Sequence, residues 1–398
     1  MKSILLSYSQ PMHGNMLHSY HYDYDKKVNV IRGKDGVVLP FVESKLDELC
    51  ITTKTEALRE ADDSANEMLL IGTKTLYQME SDDESSLNTN KGDVTTDFVV
   101  RELQRRNIVF YRFNTEELCK NVEVVLDFAK EHYVLYDKYE AQEYNLLSFT
   151  NIYYRRPELP QYDRRELTKG EVAFLQTEVY YTLEGIYRIL EKKQWFNSVF
   201  AIRNAENKIY QLLLAKQVGF KILESLITNK YSVANPFLRS GKNIIKPIHN
   251  VRIMDAAKPL VVFTTTVDRS FKKNEIEYSV NYFQREIIKK YDVRATFVGK
   301  ECFAVAIDSQ TNPETVTDWR KGQHVLKHTS IVLPQSLYEK CQELMKMLNL
   351  QFAAIDFVLD VENRYWFLEI NPNGQWAWIE HLVELPISKE IVNQLCRL

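Results

Sequence analysis

Two apolar runs stand out near the C-terminus, FAAIDFVL at 352–359, interrupted by Asp356, and WFLEIN at 366–371, which ends on Glu369 and Asn371. Short apolar runs bounded by turn residues predict two strands, along which side chains point to alternate faces. DVEN at 360–363 predicts the hairpin turn between them, and Pro372 with Gly374 stops the second strand. In that pairing Asp356 faces Glu369, while Glu369 and Asn371 lie on one face. A helical period appears elsewhere. Val94, Phe98 and Leu103 predict a helix capped by Asp93 or Thr95 and ending at Asn107, followed by a buried strand, IVFYRF at 108–113. Leu175–Trp195, Lys208–Val218 and Pro334–Leu348 predict further helices, and DVRATFV at 292–298 an alternating strand. Mixed α and β order with late antiparallel strands predicts an α+β fold.

The N-terminal part reads differently. Val- and Ile-rich stretches at 25–32 and 37–44 flank Gly33 and Gly36, which predicts a short hairpin, then a Pro40-Phe41 pair and a short helix from Glu43 to Leu49. LCITTKTEALREADD at 49–63 recurs at an offset of 20 as LLIGTKTLYQMESDD at 69–83, with eight coincident positions. Each copy puts two hydroxyls ahead of three carboxylates: Thr53, Thr55, Glu60, Asp62 and Asp63, then Thr73, Thr75, Glu80, Asp82 and Asp83. Each has too few apolar residues for a buried face, so these are not packed repeats; acidic solvated linkers are one account of them.

A chain of 398 residues exceeds one small core, and 45% hydrophobic with 26% charged residues is ordinary for a globular protein. A formal net charge of −3 gives no reason to expect nucleic acid. No apolar run is long enough for a membrane span, and the N-terminus makes a poor signal peptide. Five cysteines without CxxC spacing point to a reducing, cytoplasmic setting rather than a structural metal site. No HExxH, GxSxG or Walker loop occurs. Asp356, Glu369 and Asn371 converging at one strand end suit Mg²⁺, which takes one or two carboxylates plus substrate phosphates. Polar residues on the wet face of a plain hairpin are the competing account.

The tail EINPNGQW at 369–376 resembles the ATP-grasp ligases, and specifically the microviridin-type peptide maturases that make graspetides. The resemblance runs from about Asp93 to the C-terminus. It is carried by DVTTDFVV at 93–100, YRFN at 111–114, YYRRP at 153–157, Asn207-Lys208, Gln211-Leu212, GFKI at 219–222, LITN at 226–229, IKP at 245–247, FQREI at 283–287, YDVR at 291–294 and DWR at 318–320, in the family's order. Leu223, where the family usually has proline, and Arg285, inside the adenine hinge, depart from it.

The resemblance implies an ATP-grasp fold of three subdomains preceded by a mostly extended precursor-peptide-like segment: 1–67 leader and core with a second core-like repeat at 69–83, then 68–195, 196–257 and 258–398. Met68 begins the ligase if MLLI at 68–71 is its first strand; otherwise the ligase begins near Asn88. ATP and Mg²⁺ are the implied cofactors. Lys208 and Lys246 would reach the phosphates, and Gln284, Glu286 and Ile287 would form the adenine hinge. Arg294 and Arg320, with forks suited to phosphate or carboxylate, would serve the γ-phosphate and the acyl phosphate. An ion pair of Arg294 with Asp292 or Glu286 competes with that role, and Arg155 and Arg156 read as braces. Pro40 and Phe41 would be the leader anchor and the Thr and Asp/Glu side chains of 53–83 the substrate core, joined as side-chain esters, or as amides through Lys54 or Lys74. A precursor peptide is then the partner, a homodimer is in keeping with the family, and nucleic acid and membrane are not expected. Two other functions stay open: an amino-acid ligase acting on a protein tail, and a leader-binding regulatory module.

Overall fold

The computed structural model describes residues 93–396 except 164, 250–251, 255–258 and 268–269, together with strand segments at 8–9, 21–23, 27–32, 38–40 and 84–89. Phe41, Met68 and every core-like residue from Thr53 to Asp83 fall outside the described residues. The chain forms two units, 15–199 with 386–398, and 1–14 with 200–385.

The first unit is built on a parallel sheet in which Phe149–Tyr154 and Glu84–Thr89 are central, with Gln194–Trp195 and Phe110–Asn114 at the edges. Parallel neighbours need a crossover. Helix Val94–Arg105 supplies it between Glu84–Thr89 and Phe110–Asn114 and buries Val99, Val100 and Leu103. Asp93 is its N-cap residue, its carboxylate accepting from the Thr96 hydroxyl at 2.8 Å. Helix Ile387–Leu395 packs against this helix, tied by Arg106 to Asn393 and to the Lys389 carbonyl. Three antiparallel strands, Val122–Asp127, His132–Asp137 and Gln142–Asn145, form a second small sheet. A third joins His21–Asp23, Val28–Arg32 and Val38–Pro40. The hairpin expected around Gly33–Gly36 is therefore present, and Pro40, which lacks an N–H, sits on an edge strand.

The helix expected at Leu175–Trp195 instead spans Lys169–Ile189. Thr168 and Glu171 form a capping box that starts it a turn and a half earlier, in a polar stretch that apolar periodicity does not register. It stops early because Gln194–Trp195 pairs with Asn151 and Ile152 as a strand. Arg155 is indeed a brace: its guanidinium, 2% exposed, lies 2.8 Å from Asp93. Asp93→Ala is expected to destabilise this unit by about 3–5 kcal/mol, as for other broken buried pairs. Urea unfolding followed by tryptophan fluorescence checks it.

In the second unit, five antiparallel strands run in the order His328–Ile331, Glu301–Ile307, Lys289–Val298, Phe352–Asp360, Tyr365–Asn371. One face carries Val293, Phe297, Ile355, Phe357, Phe367 and Ile370 into a core shared with helices Lys208–Val218 and Gln335–Met347. A four-stranded sheet of Ser225–Thr228, Asn281–Arg285, Asn243–Lys246 and Thr265–Thr266 has its own core of Ile245, Ile276 and Phe283. No helix among the described residues is long and apolar enough to cross a membrane.

Candidate active site

The C-terminal hairpin forms as its two apolar runs and turn residues predict, closing at Asp360–Asn363 with Asn363 at φ 58°. Asp356 pairs directly with Glu369, and Ala354 with Asn371. One feature was not legible. Phe357 pairs with Phe367, so Leu368 is an extra residue, a β-bulge. The bulge lets Phe367 and Ile370, three apart, both enter the core while Glu369 and Asn371 point to the opposite face with Asp356.

That face is strongly polarised. Lys208, the first residue of its helix, reaches 3.1 Å from Glu369 and also donates to the Pro247 carbonyl. A cation at a helix N-terminus opposes the macrodipole. The Asn207 side chain, accepting from the Tyr210 N–H, offsets part of that cost and holds the turn. Gln211 on the same helix is a residue whose role sequence reasoning missed. It donates to the Ile370 and Ala205 carbonyls and accepts from the Ile370 N–H, bolting the lysine-bearing helix to the glutamate-bearing strand.

Lys246 ends strand Asn243–Lys246, where Pro247 prevents continuation. Burial pulls its ammonium down to about 8, with Lys208 and Arg320 adding to the depression and Glu369 opposing it. Arg320 is clamped by Asp318 through two bonds of 2.8 and 2.6 Å, and Asp318 also accepts from the Thr264 N–H. Burial would raise the Asp318 carboxyl, but the Arg320 fork outweighs it and holds it at about 2. Asp318 is the second residue whose role was missed; it fixes where Arg320 points.

The two facing carboxylates split. Burial would raise Glu369, yet Lys208, Arg320 and Lys246 together hold it at about 2. Burial pushes Asp356 the other way, up to about 6, helped by Glu369 and countered by Arg294 and Arg320. Arg294 lies 3.1 Å from Asp356 and donates to the Gln375 carbonyl. Its partner is thus the cross-strand carboxylate rather than Asp292, which is taken by Lys289 and Ser309. The Asn371 side-chain oxygen accepts from the Asn373 N–H at 3.2 Å, leaving a lone pair for a ligand.

Gln284 is fully buried on strand Asn281–Arg285; its amide nitrogen donates to Ser225 and Tyr282, and its oxygen has no partner among the described residues. Arg285 points to the other side of the strand, where it is held by Glu224, Asn243 and the Phe237 carbonyl. It therefore leaves the Gln284 face clear. The Glu286 N–H donates to the Lys242 carbonyl, its carboxylate accepts from Thr266, and half-buried Ile287 follows. The catalytic, nucleotide and metal residues expected from sequence thus fall in one unit, while the expected leader-anchor residue Pro40 lies in the other. Lys208, Lys246, Arg320, Glu369, Asp356 and Arg294 interact with one another; Lys246 and Gln284 both lie on the four-stranded sheet, and Glu286 and Ile287 follow directly after its strand Asn281–Arg285.

Among the described residues no three His, Cys, Asp or Glu side chains are grouped for a metal. The donors are two carboxylates and an amide. An all-oxygen set with one member firmly ionised fits a hard cation that completes its shell with phosphate and water.

Residues 87–203 match the family model described as the MvdD pre-ATP grasp domain. Among solved structures the chain is similar to a RiPP-associated ATP-grasp ligase from Chryseobacterium gregarium, in complex with ADP and a leader and core peptide. That match has 26% identity and a TM-score of 0.73 over 79% of this chain and 97% of that one. It is also similar to the macrocyclase MdnC of Microcystis aeruginosa MRC, bound with precursor peptide MdnA, at 25% identity and TM-score 0.70 over 79% and 99%. The macrocyclase MdnB from the same organism matches at 27% identity and TM-score 0.64 over 79% and 99%. No curated protein matches. These structures are spanned almost end to end, and about a fifth of this chain has no counterpart in them.

Proposed function

Starting from a chain that is an ATP-grasp ligase of graspetide type, we propose that it macrocyclises a ribosomal core peptide, joining Thr hydroxyls to Asp or Glu carboxylates as side-chain esters. The observation that carries the reading is Glu369, kept ionised within a ring of Lys208, Lys246 and Arg320 and opposite Asp356. Such a site meets both needs of the chemistry: a seat for a cation and a basic surround for phosphates.

A peptide carboxylate oxygen attacks the γ-phosphorus of ATP, the bond to the β-phosphate oxygen breaks, and ADP leaves. The threonine oxygen then attacks the acyl carbon, its proton is lost, and inorganic phosphate departs. The peptide loses one water per ring. Lys208 and Lys246 attract the phosphates as point charges, while Arg320, pre-aimed by Asp318, offers its free N–H groups to the transferring group. Arg294 orients Asp356 and remains within the site for the acyl phosphate. Asp356, Glu369 and Asn371 would hold Mg²⁺, which supplies charge neutralisation for the nucleotide oxygens. Gln284, Glu286 and Ile287 would receive the base. The core is proposed to be Thr53, Thr55, Glu60, Asp62 and Asp63, then Thr73, Thr75, Glu80, Asp82 and Asp83, in the part of the chain that precedes the family match. Pro40 and Phe41 belong to its leader.

Incubation of the full chain with Mg²⁺ and ATP, followed by mass spectrometry, should show loss of water confined to residues 49–83 with ADP formed. ADP formation with a gain in mass would instead indicate an added amino acid and sink the cyclase reading. A second expectation concerns pH. With Lys246 at about 8, kcat/KM for ATP should fall as pH climbs through that value, because the neutral amine no longer attracts phosphate. Lys246→Arg, always charged, should keep the profile flat there; an alkaline fall in both proteins excludes Lys246 as its source.

A further inference from the structure

The N-terminal segment is seated on the parallel-sheet unit at one built position. Asp137 accepts from the N–H groups of Tyr139 and Glu140, fixing the turn that precedes strand Gln142–Asn145. The Tyr144 hydroxyl holds one oxygen of Glu140. The other oxygen takes the Lys27 ammonium at 2.8 Å, and that ammonium lies over the rings of Phe110 and Tyr111, 5.2 and 5.9 Å from their centres. The Lys27 carbonyl accepts from Arg112, a guanidinium with no exposed side-chain surface that is also paired with Asp97 at 2.6 Å. Lys27 adopts φ 54°, a costly conformation for a non-glycine residue that these contacts compensate. Val28 beside it is 2% exposed, and strand Val28–Arg32 packs on helix Val94–Arg105. Every group that receives Lys27 lies within the family match at 87–203, whereas Lys27 precedes it.

We propose that Lys27 and Val28 form an anchor that docks the chain's own N-terminal segment in cis on the pre-ATP-grasp unit, presenting the following core-like residues 49–83 as an intramolecular substrate. The proposal rests on the macrocyclase reading for its substrate, but not for the anchor itself. An acidic turn backed by two aromatic rings fits a lysine. A buried guanidinium aimed at a main-chain carbonyl fixes register without demanding a particular side chain. Tethering makes encounter with the ligase intramolecular, at an effective concentration of roughly millimolar.

Charge reversal in the full chain tests this. Lys27→Glu and Glu140→Lys are each expected to speed amide hydrogen exchange in strand 28–32 about tenfold or more while strand 110–114 stays protected, and to slow loss of water from 49–83 at least as much. The double reversal should restore both, and in the wild type the rate should not depend on protein concentration. The milder Lys27→Gln, with a smaller shift in the same direction, guards against misfolding of the reversals. Unchanged exchange in all three single variants would overturn the anchor. Faster exchange with undiminished loss of water would overturn its role in presentation. Exchange behaving as expected with no loss of water in the wild type would leave the anchor standing and remove the substrate reading.

Discussion

Glu369→Gln is expected to lower kcat/KM for ADP formation by about 10³-fold or more, the scale on which a single preorganised electrostatic group acts in catalysis. Two losses combine. The amide keeps one neutral oxygen for a cation, and three positive side chains lose the anion that balances them in the resting protein. Lys246 feels the change directly, because Glu369 is the largest influence opposing the depression of its ammonium. The alkaline limb of the pH profile should therefore move to lower pH in whatever activity survives. Glutamine has nearly the shape of glutamate, so the fold should be retained. Steady-state ADP release, measured beside a thermal melt, separates the effects. Activity within tenfold of wild type would remove Glu369 from the machinery.

Gly374→Val should be nearly as damaging, for a steric reason. A Cβ at this position would lie 2.4 Å from the Ala354 Cβ and 2.8 Å from an Arg294 guanidinium nitrogen. Ala354 cannot rotate away, so the turn after the hairpin must shift. That turn carries the Gln375 carbonyl that anchors Arg294, and the Asn373 N–H that donates to Asn371. Overpacking of this kind costs about 1–3 kcal/mol. A larger drop in kcat than in stability is expected, since the displaced groups are those facing Asp356. Gly374→Ala should show the same pattern with smaller amplitude. A variant as active as wild type would mean that the turn adapts without disturbing Arg294.

The hairpin was legible because apolar runs and turn composition are local signals, and Asp356 does face Glu369 as expected, although plain pairing back from Leu359–Tyr365 would set it opposite Leu368 and the bulge supplies the shift. The bulge was not, since Leu368 lacks the glycine that marks some bulges. Roles that depend on distant partners were also hidden. Gln211 acts on a strand 159 positions away, and Arg294 on an aspartate 62 positions away. Asp292 looked the nearer partner for Arg294, but side chains two apart on a strand are more widely spaced than a directly opposed cross-strand pair. Arg285, which looked intrusive, is turned aside by the same alternation. The start of helix Lys169–Ile189 was obscured by its polar first turn, where capping rather than burial sets the boundary.

The extra residue at Leu368 gives this strand slack in its count. Removing that residue would leave Phe367, Glu369, Ile370 and Asn371 in plain alternation on the faces they already occupy, with Glu369 still opposite Asp356. Flattening the bulge with Leu368 retained would instead swing Glu369 inward among phenylalanines and Ile370 out towards water. Shortening by one residue is therefore open to a descendant at this point, whereas a slip of the register is not.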